Sequence, residues 1–295
     1  MSVDYILSCE STVDLPYSYI SGRNIPVLFY TYTVDGKEYY DDMERDEQAR
    51  KEFFQQINDG KLPATSQINE FRYIDFFDEL LQKGDVIHIA LGTGMTPSAR
   101  NALEAAKKLK DKYPERKLII IDSLCSCTGY GLLVDSAADL RDEGKTIEEV
   151  QQWVENNKSR VHHQFFTTDL TQFKRSGRVS GPVALVGSML GICPIMHLNG
   201  EGRIISYGKA RGKKAAIKTT VDEIMKHIQD GADYTGKLLI SNANCPETAE
   251  ACREAFVARG MTKADIRMTH IGMVISAHCG PETVAIFFYG DERTV

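Results

Sequence analysis

Short apolar runs and longer amphipathic segments follow one another along the chain, which predicts strands and helices in alternation. The apolar runs at 5–7, 25–34, 86–90 and 118–121 are typical of strands, and the second ends at a turn, Asp35-Gly36. Helices are predicted between and after them, over 47–58, 69–82, 97–112, 129–141 and 147–158. Because the run at 118–121 is wholly apolar, we expect a parallel sheet that helices cover on both faces.

A second unit of strands and helices begins near Val161. Its predicted strands lie at 192–197, 204–209, 238–241, 266–270 and 283–289, and its predicted helices at 213–227 and 246–258. We therefore expect an α/β protein with an N-terminal domain over 1–160 and a C-terminal α/β domain over 161–277. In an alternative division, the C-terminal segment 278–295 adds a strand to the N-terminal domain. In a parallel sheet, a ligand is expected beyond the C-terminal ends of the strands.

Composition narrows the classes of function. The 295 residues are 42% hydrophobic and 26% charged, with a net charge of −6 and no long run of Lys or Arg. Binding to nucleic acid is therefore not expected. The N-terminus lacks the basic and apolar regions of a signal peptide, and no apolar run reaches spanning length, so we expect a cytoplasmic protein without stable membrane insertion. The seven cysteines are scattered without metal-binding spacing and are expected to be reduced and buried.

Hydroxyl-bearing residues follow several predicted strands. The segment 11–14, Ser-Thr-Val-Asp, is explained as a cap for a helix that begins at Pro16. The pair Thr65-Ser66 is either another cap or a site for a carboxylate or phosphate, since hydroxyl and backbone donors converge at a helix start. The turn 92–97 offers Thr93, Gly94 and Thr96 to an oxyanion in the same way.

Two further segments carry Arg178 and His278. Arg178 lies in the basic segment 174–181, which is either a solvated helix end with a glycine stop or an arginine directed at an anion. His278 is a lone histidine, of the kind that is most often structural. The adjacent pair His162-His163 lies in a predicted strand, so one of the two is expected to face solvent and neither need be a ligand. No complete catalytic set or metal motif is present, so we expect donors for an anion and no catalytic residue.

A dinucleotide-binding turn is the competing interpretation of segment 92–97. The pattern G-x-G-x-x-G would place its third glycine at Pro97, where close helix–strand packing requires a small residue. The acidic residue Asp122 also lies later than the usual spacing. A dinucleotide-dependent oxidoreductase is therefore the weaker hypothesis.

Taken in order, these segments resemble the motifs of the DegV family along nearly the whole chain. The segments that carry the resemblance are 10–14, 65–69, 92–98, 122–123 with 129–131, 176–180, 209–215 and 278–281. Each motif is weak alone, but their order and spacing are specific. The sequence departs from the family pattern in four places. Gly92 and Thr93 replace two serines, Ile68 replaces a proline, Cys193 replaces a lysine and Glu282 replaces a glycine.

The resemblance implies a two-domain DegV-like fold with a long-chain fatty acid between the domains. It implies that Thr65 and Thr93 hold the carboxylate, with Ser66, Gly94, Thr96, Arg178 and His278 close by. Beyond this ligand no cofactor is expected, and the chain is expected to be a carrier and not an enzyme.

By the same resemblance, a separate ATP-dependent fatty acid kinase phosphorylates the carboxyl group. Arg211, in the basic segment 209–214, is either a docking residue for that kinase or a solvated helix start. The alternative function is a small-ketone-binding phosphotransfer domain like that of dihydroxyacetone kinase.

Overall fold

A computed structural model describes residues 5–179 and 191–294. The strands of these residues are β1 (Tyr5–Glu10), β2 (Val27–Leu28), β3 (Thr31–Val34), β4 (Lys37–Tyr40), β5 (Ala64–Ser66), β6 (Asp85–Ala90), β7 (Leu118–Asp122), β8 (Val161–Thr167), β9 (Ile192–Leu198), β10 (Ile204–Arg211), β11 (Lys237–Ala243), β12 (Asp265–His270) and β13 (Thr283–Tyr289). The α-helices are α1 (Tyr17–Gly22), α2 (Glu47–Asn58), α3 (Glu70–Leu81), α4 (Ser98–Leu109), α5 (Cys127–Asp142), α6 (Ile147–Asn157), α7 (Thr171–Ser176), α8 (Lys213–His227), α9 (Pro246–Val257) and α10 (Met273–Cys279).

The first sheet is fully parallel, with the order β2-β1-β6-β7. This confirms the parallel sheet that the apolar runs at 86–90 and 118–121 predict. Residues of β6 are buried almost throughout, as expected for a strand with helices on both faces. Because all four strands run the same way, their C-terminal ends meet at one edge, and the loops after β6 and β7 lie side by side there.

The apolar run 25–34 forms two strands and not one. β2 pairs with β1 in the first sheet, whereas β3 pairs with β4 and β5 in a separate antiparallel sheet of order β4-β3-β5. The hairpin between β3 and β4 turns at Asp35-Gly36, where both residues have positive φ, as a two-residue hairpin turn requires. This small sheet matters for function because β5 contains Thr65 and Ser66.

The second sheet is mixed, with the order β10-β9-β8-β13-β11-β12. Only β11 and β12 pair in parallel among its neighbouring strands. β13 lies between β8 and β11, so the strand of segment 278–295 pairs within the second sheet, and the assignment of this segment to either domain stays a prediction. An isolated strand run does not indicate its partners, which are chosen by long-range pairing. The domain boundary near 160 stays a prediction.

One hydrophobic core crosses between the two sheets. Leu7 and Ile121 of the first sheet belong to the same buried cluster as Phe165 and Phe287 of the second. The opposite face of the second sheet packs against α8 and α9 in a separate core. All seven cysteines are free and buried, as predicted. None of the described helices is long and apolar enough to cross a membrane.

Candidate ligand-binding site

A cavity of about 270 Å³ lies where the C-terminal edge of the first sheet faces the second sheet. This is the edge at which a ligand was predicted. Its walls come from β5, the loops after β6 and β7, strands β8 and β13, and α10. Most lining side chains are apolar, and they include Leu91, Met95, Phe165, Phe173, Leu198, Ile204, Ile271, Val274, Ile275, Ala285 and Phe287.

Alternation along β13 builds one wall of the cavity. Thr283, Ala285 and Phe287 face the cavity, whereas Val284 and Ile286 face the core under α8 and α9. Successive side chains of a strand point to opposite faces, so the largely apolar sequence of β13 lines the cavity on one face and the second core on the other. A strand that is buried on both faces tends to be apolar on both, which is why the sequence of β13 alone does not show which side faces the cavity.

The polar end of the cavity is built around Thr65 and His278. Thr65 Oγ1 lies 2.7 Å from His278 Nε2, which joins β5 to α10. With a proton on Nε2, the imidazole donates to the threonine oxygen and leaves the threonine hydroxyl free to donate to a ligand. His278 Nδ1 is buried without a hydrogen-bond partner. In this tautomer Nδ1 is an acceptor, and the proton of the Thr65 hydroxyl is the one that a ligand oxyanion would accept.

The electrostatics of this end favour an anion. Burial, with a further contribution from the charge of Arg178, lowers the pKa of His278 to about 4, so this ring is neutral at pH 7. Burial also lowers the pKa of Arg178, whose Nη1 donates to Ser176 O at 2.7 Å. None of the described lining residues is acidic. A partly buried guanidinium without a carboxylate partner in the cavity is a favourable environment for a ligand carboxylate.

Helix capping does not explain the hydroxyl pair of β5. Asn69 caps α3, because its side chain accepts a hydrogen bond from Arg72 N. Thr65 and Ser66 are both in the cavity lining, with Thr96 on the facing loop. Similarly, Ser11 does not cap a helix: it lies in a 3₁₀ turn, and its hydroxyl accepts a hydrogen bond from Tyr30 N at 3.0 Å.

Thr93 and Gly94 have a different position from the one that the resemblance implies. The Thr93 hydroxyl and backbone N–H both donate to the Asp122 carboxylate, so that hydroxyl has no proton left for a ligand. Neither residue is among the cavity-lining residues. A Cβ at Gly94 would lie 2.2 Å from the carbonyl oxygen of Gly202, so this glycine allows the turn to touch the loop between β9 and β10. Thr93 therefore fixes the turn to the end of β7, and Gly94 lets the same turn touch the second sheet's β9–β10 loop beside the site.

The departures from the family pattern have local explanations. Any side chain at Gly92 would meet the backbone of Cys125 at 2.8 Å, so serine does not fit there without a shift. Ile68 is fully buried, and Cys193 is buried in the second core. Glu282 pairs with Lys213, which neutralises the added charge. Ser180 and Gly181 of the arginine motif lie outside the described residues.

Several lining residues carry no local sequence signal. The Tyr30 hydroxyl is buried without a hydrogen-bond partner and lies against the cavity. His163 also lines it, but both of its ring nitrogens have backbone partners, Val161 O and Ser126 N. His162 and His163 are both buried, so the expectation that one faces solvent was wrong. Such residues are identified only by the pairing of distant strands.

Two α/β domains that enclose an apolar cavity with a cationic, hydroxyl-bearing end define a protein suited to hold an amphipathic anion. A family model described as an uncharacterised protein of the DegV family matches residues 7–291. The chain belongs to the DegV family. A DegV domain-containing protein of Clostridium perfringens is 33% identical over 290 residues, which is 98% of each chain.

Solved structures support the same assignment. The chain is similar to a DegV family protein from Thermus thermophilus whose structure is described as showing fatty acid binding. The TM-score is 0.86 and the identity 25%, and the match covers 98% of this chain and 100% of that one. The Fatty Acid Kinase B3 protein of Streptococcus pneumoniae, loaded with linoleic acid, has the same fold, with a TM-score of 0.82, 18% identity and coverage of 98% and 100%.

Proposed function

We propose that this protein binds one long-chain fatty acid in the cavity and presents its carboxylate to a separate kinase. The observation that carries the proposal is the polarity of the cavity: apolar walls from β8 and β13 lead to one end where Thr65, His278 and Arg178 meet. The relative from Thermus thermophilus, which is described by its fatty acid binding, supports the same ligand.

The energetics of the cavity suit a fatty acid. Each buried CH₂ contributes about 0.8 kcal/mol, so a long acyl chain supplies on the order of 10 kcal/mol before ordering costs. A carboxylate is costly to bury unless several donors meet it. Thr65 and Arg178 are the donors available here, with Ser66 and Thr96 on the same walls.

The polar end is also the end that reaches the surface. Ser66, Gln67 and Pro97 are exposed, whereas Phe165, Ala285 and Phe287 at the apolar walls are buried. A fatty acid with its carboxylate near Thr65 would therefore have its reactive group just inside the mouth of the cavity, next to exposed residues. That orientation is the one that a carrier needs if the carboxyl group is phosphorylated by another protein.

Lipid analysis of the purified protein tests this function. We expect about one fatty acid per chain in protein purified from bacteria, because an apolar cavity of this size retains an acyl chain in preference to water. Denaturing extraction followed by mass spectrometry measures the stoichiometry. If no stoichiometric lipid is found, and stripped protein takes up no added fatty acid, the carrier function is wrong.

The partner is proposed to be an ATP-dependent fatty acid kinase. The Streptococcus pneumoniae protein of the same fold, whose name includes a fatty acid kinase, supports this proposal. On this chain, exposed basic residues lie on β10 and at the start of α8, including Lys209, Arg211 and Lys214. Such a surface favours association with an acidic partner or with the phosphates of its nucleotide.

Arg211→Ala separates docking from ligand binding. Because Arg211 is exposed and outside the cavity, we expect unchanged fatty acid affinity but slower kinase-dependent formation of acyl phosphate, most clearly at low salt. The matched control is Arg203→Ala, another exposed arginine just before β10. A coupled kinase assay at two ionic strengths measures both variants. Normal turnover by Arg211→Ala at low salt would show that Arg211 takes no part in docking.

A further inference from the structure

Three side chains that can ligate a metal ion meet on the side of β8 that faces away from the cavity. His162 lies on β8, His227 is the last residue of α8, and Asp291 follows β13. We call these three residues the His162 cluster. His163 lines the cavity, and its neighbour His162 points to the other side because successive residues of a strand face opposite ways.

Two of the distances within the His162 cluster match those between neighbouring ligands of one ion. Asp291 Oδ1 lies 3.0 Å from His162 Nε2 and 3.0 Å from His227 Nδ1. One ligand atom from each residue lies within 4.8 Å of the others, and no other such group occurs within residues 5–179 and 191–294. A Zn²⁺ ion bonds to nitrogen and oxygen at about 2.0–2.2 Å, which places its neighbouring ligands about 3–3.5 Å apart.

Neighbouring groups hold both imidazole rings in place. Glu223 Oε1 lies 3.3 Å from His227 Nε2, so it can accept the proton of that nitrogen and direct the other nitrogen at Asp291. The ring of His162 is stacked between His227 and Phe288, with centroid distances of 5.1 and 4.9 Å. A carboxylate behind a ligating histidine is the usual arrangement in protein zinc sites.

The protonation states are compatible with ligation. Burial lowers the pKa of His162 to about 4, so this ring is neutral at pH 7 and keeps a nitrogen lone pair. In the structure its Nε2 lies 2.9 Å from the backbone oxygen of Asp291, so ligation through Nε2 moves the ring proton to Nδ1. The Asp291 side chain is 59% exposed, which leaves the group reachable from solvent.

We propose that the His162 cluster binds a divalent first-row transition-metal ion, with Zn²⁺ as the ion to test. The site is structural, because the ion would join the end of α8, the middle of the second sheet and the segment after β13. Two residues beyond Asp291, Arg293 donates to the backbone oxygens of Leu124, Lys158 and Asn199. The ion would therefore stabilise the segment that fastens the second domain to a loop of the first.

Zinc titration of tag-free, chelator-treated protein tests the proposal. We expect about one Zn²⁺ per chain in competition with a chromophoric chelator, and a rise in Tm that Mg²⁺, which prefers oxygen ligands, does not give. Asp291→Asn is expected to weaken Zn²⁺ binding at least about tenfold, and His162→Gln to abolish it. The matched controls are Glu292→Gln, the exposed neighbour of Asp291, and His197→Gln on the adjacent strand, and both are expected to bind Zn²⁺ like the wild type.

Two outcomes would overturn this site. One is the absence of stoichiometric Zn²⁺ binding by the folded wild-type protein. The other is equal Zn²⁺ affinity in wild type and Asp291→Asn, a surface substitution that leaves the core intact. Neither outcome depends on the fatty acid, since binding is measured with the metal alone and on lipid-free as well as lipid-loaded protein.

Discussion

Ala285→Trp is expected to reduce the fatty acid content of the purified protein by at least about tenfold. Ala285 is 6% exposed, and its side chain lies on the cavity wall that β13 builds. An indole at this position would fill space that the acyl chain needs, so each displaced CH₂ loses about 0.8 kcal/mol of transfer free energy. Lipid extraction with mass spectrometry measures the loss.

A second measurement shows whether the loss comes from blocking or from misfolding. Fatty acid added to stripped wild-type protein is expected to raise Tm, because a ligand that binds only the folded state stabilises it. For Ala285→Trp we expect a cooperative melt and no increase on addition of fatty acid. Ala215→Trp, on the exposed surface of α8, serves as the matched control and is expected to carry lipid normally. Normal lipid content in Ala285→Trp would place the ligand outside this cavity.

Thr65→Val is expected to weaken fatty acid binding about 5- to 140-fold without loss of the fold. The substitution keeps the shape of the side chain but removes the hydroxyl that bonds to His278 and would donate a hydrogen bond to the ligand carboxylate. An under-satisfied buried carboxylate costs about 1–3 kcal/mol, and each 1.4 kcal/mol corresponds to about a factor of ten in affinity. Titration of stripped protein with a fluorescent fatty acid gives both affinities.

Thr93→Val is the matched control for this prediction. The Thr93 hydroxyl donates to Asp122 and lies outside the cavity lining, so we expect a lower Tm but a fatty acid affinity close to that of wild type. If Thr93→Val weakens binding as much as Thr65→Val does, the carboxylate lies at the Asp122 turn and not at His278. The comparison thus shows which of the two threonines binds the carboxylate, a role that the sequence motifs predict for both.

Elements with a strong local pattern could be predicted from the sequence. The parallel strands β6 and β7 and the helices α2 and α6 lie close to their predicted positions, because apolar periodicity reports burial directly. The run 25–34 was predicted as one strand, since β propensity does not show where a chain leaves one sheet for another. The order of the second sheet was not predictable either, because it depends on pairing between residues far apart in the chain.

The residues of the candidate site also fall into those that could be predicted from the sequence and those that could not. Thr65, Arg178 and His278 were found because they lie in motifs, and the structure brings all three to one cavity. Thr93 lies in an equally good motif, but its hydroxyl is taken by Asp122, whose side chain reaches it only through the pairing of β6 with β7. The His162 cluster has no motif at all, since its three residues come from separate parts of the chain.

The place of β13 in the middle of the second sheet has a consequence for biosynthesis. β8 and β11 are separated until β13 pairs with both, and β13 follows every other described strand in the chain. During translation the first sheet can form early, whereas the two halves of the second sheet cannot be joined until residues 283–289 have left the ribosome. A product that stops before Thr283 would lack the cavity wall of Ala285 and Phe287 and expose the edges of β8 and β11, which makes it a substrate for proteolysis or aggregation.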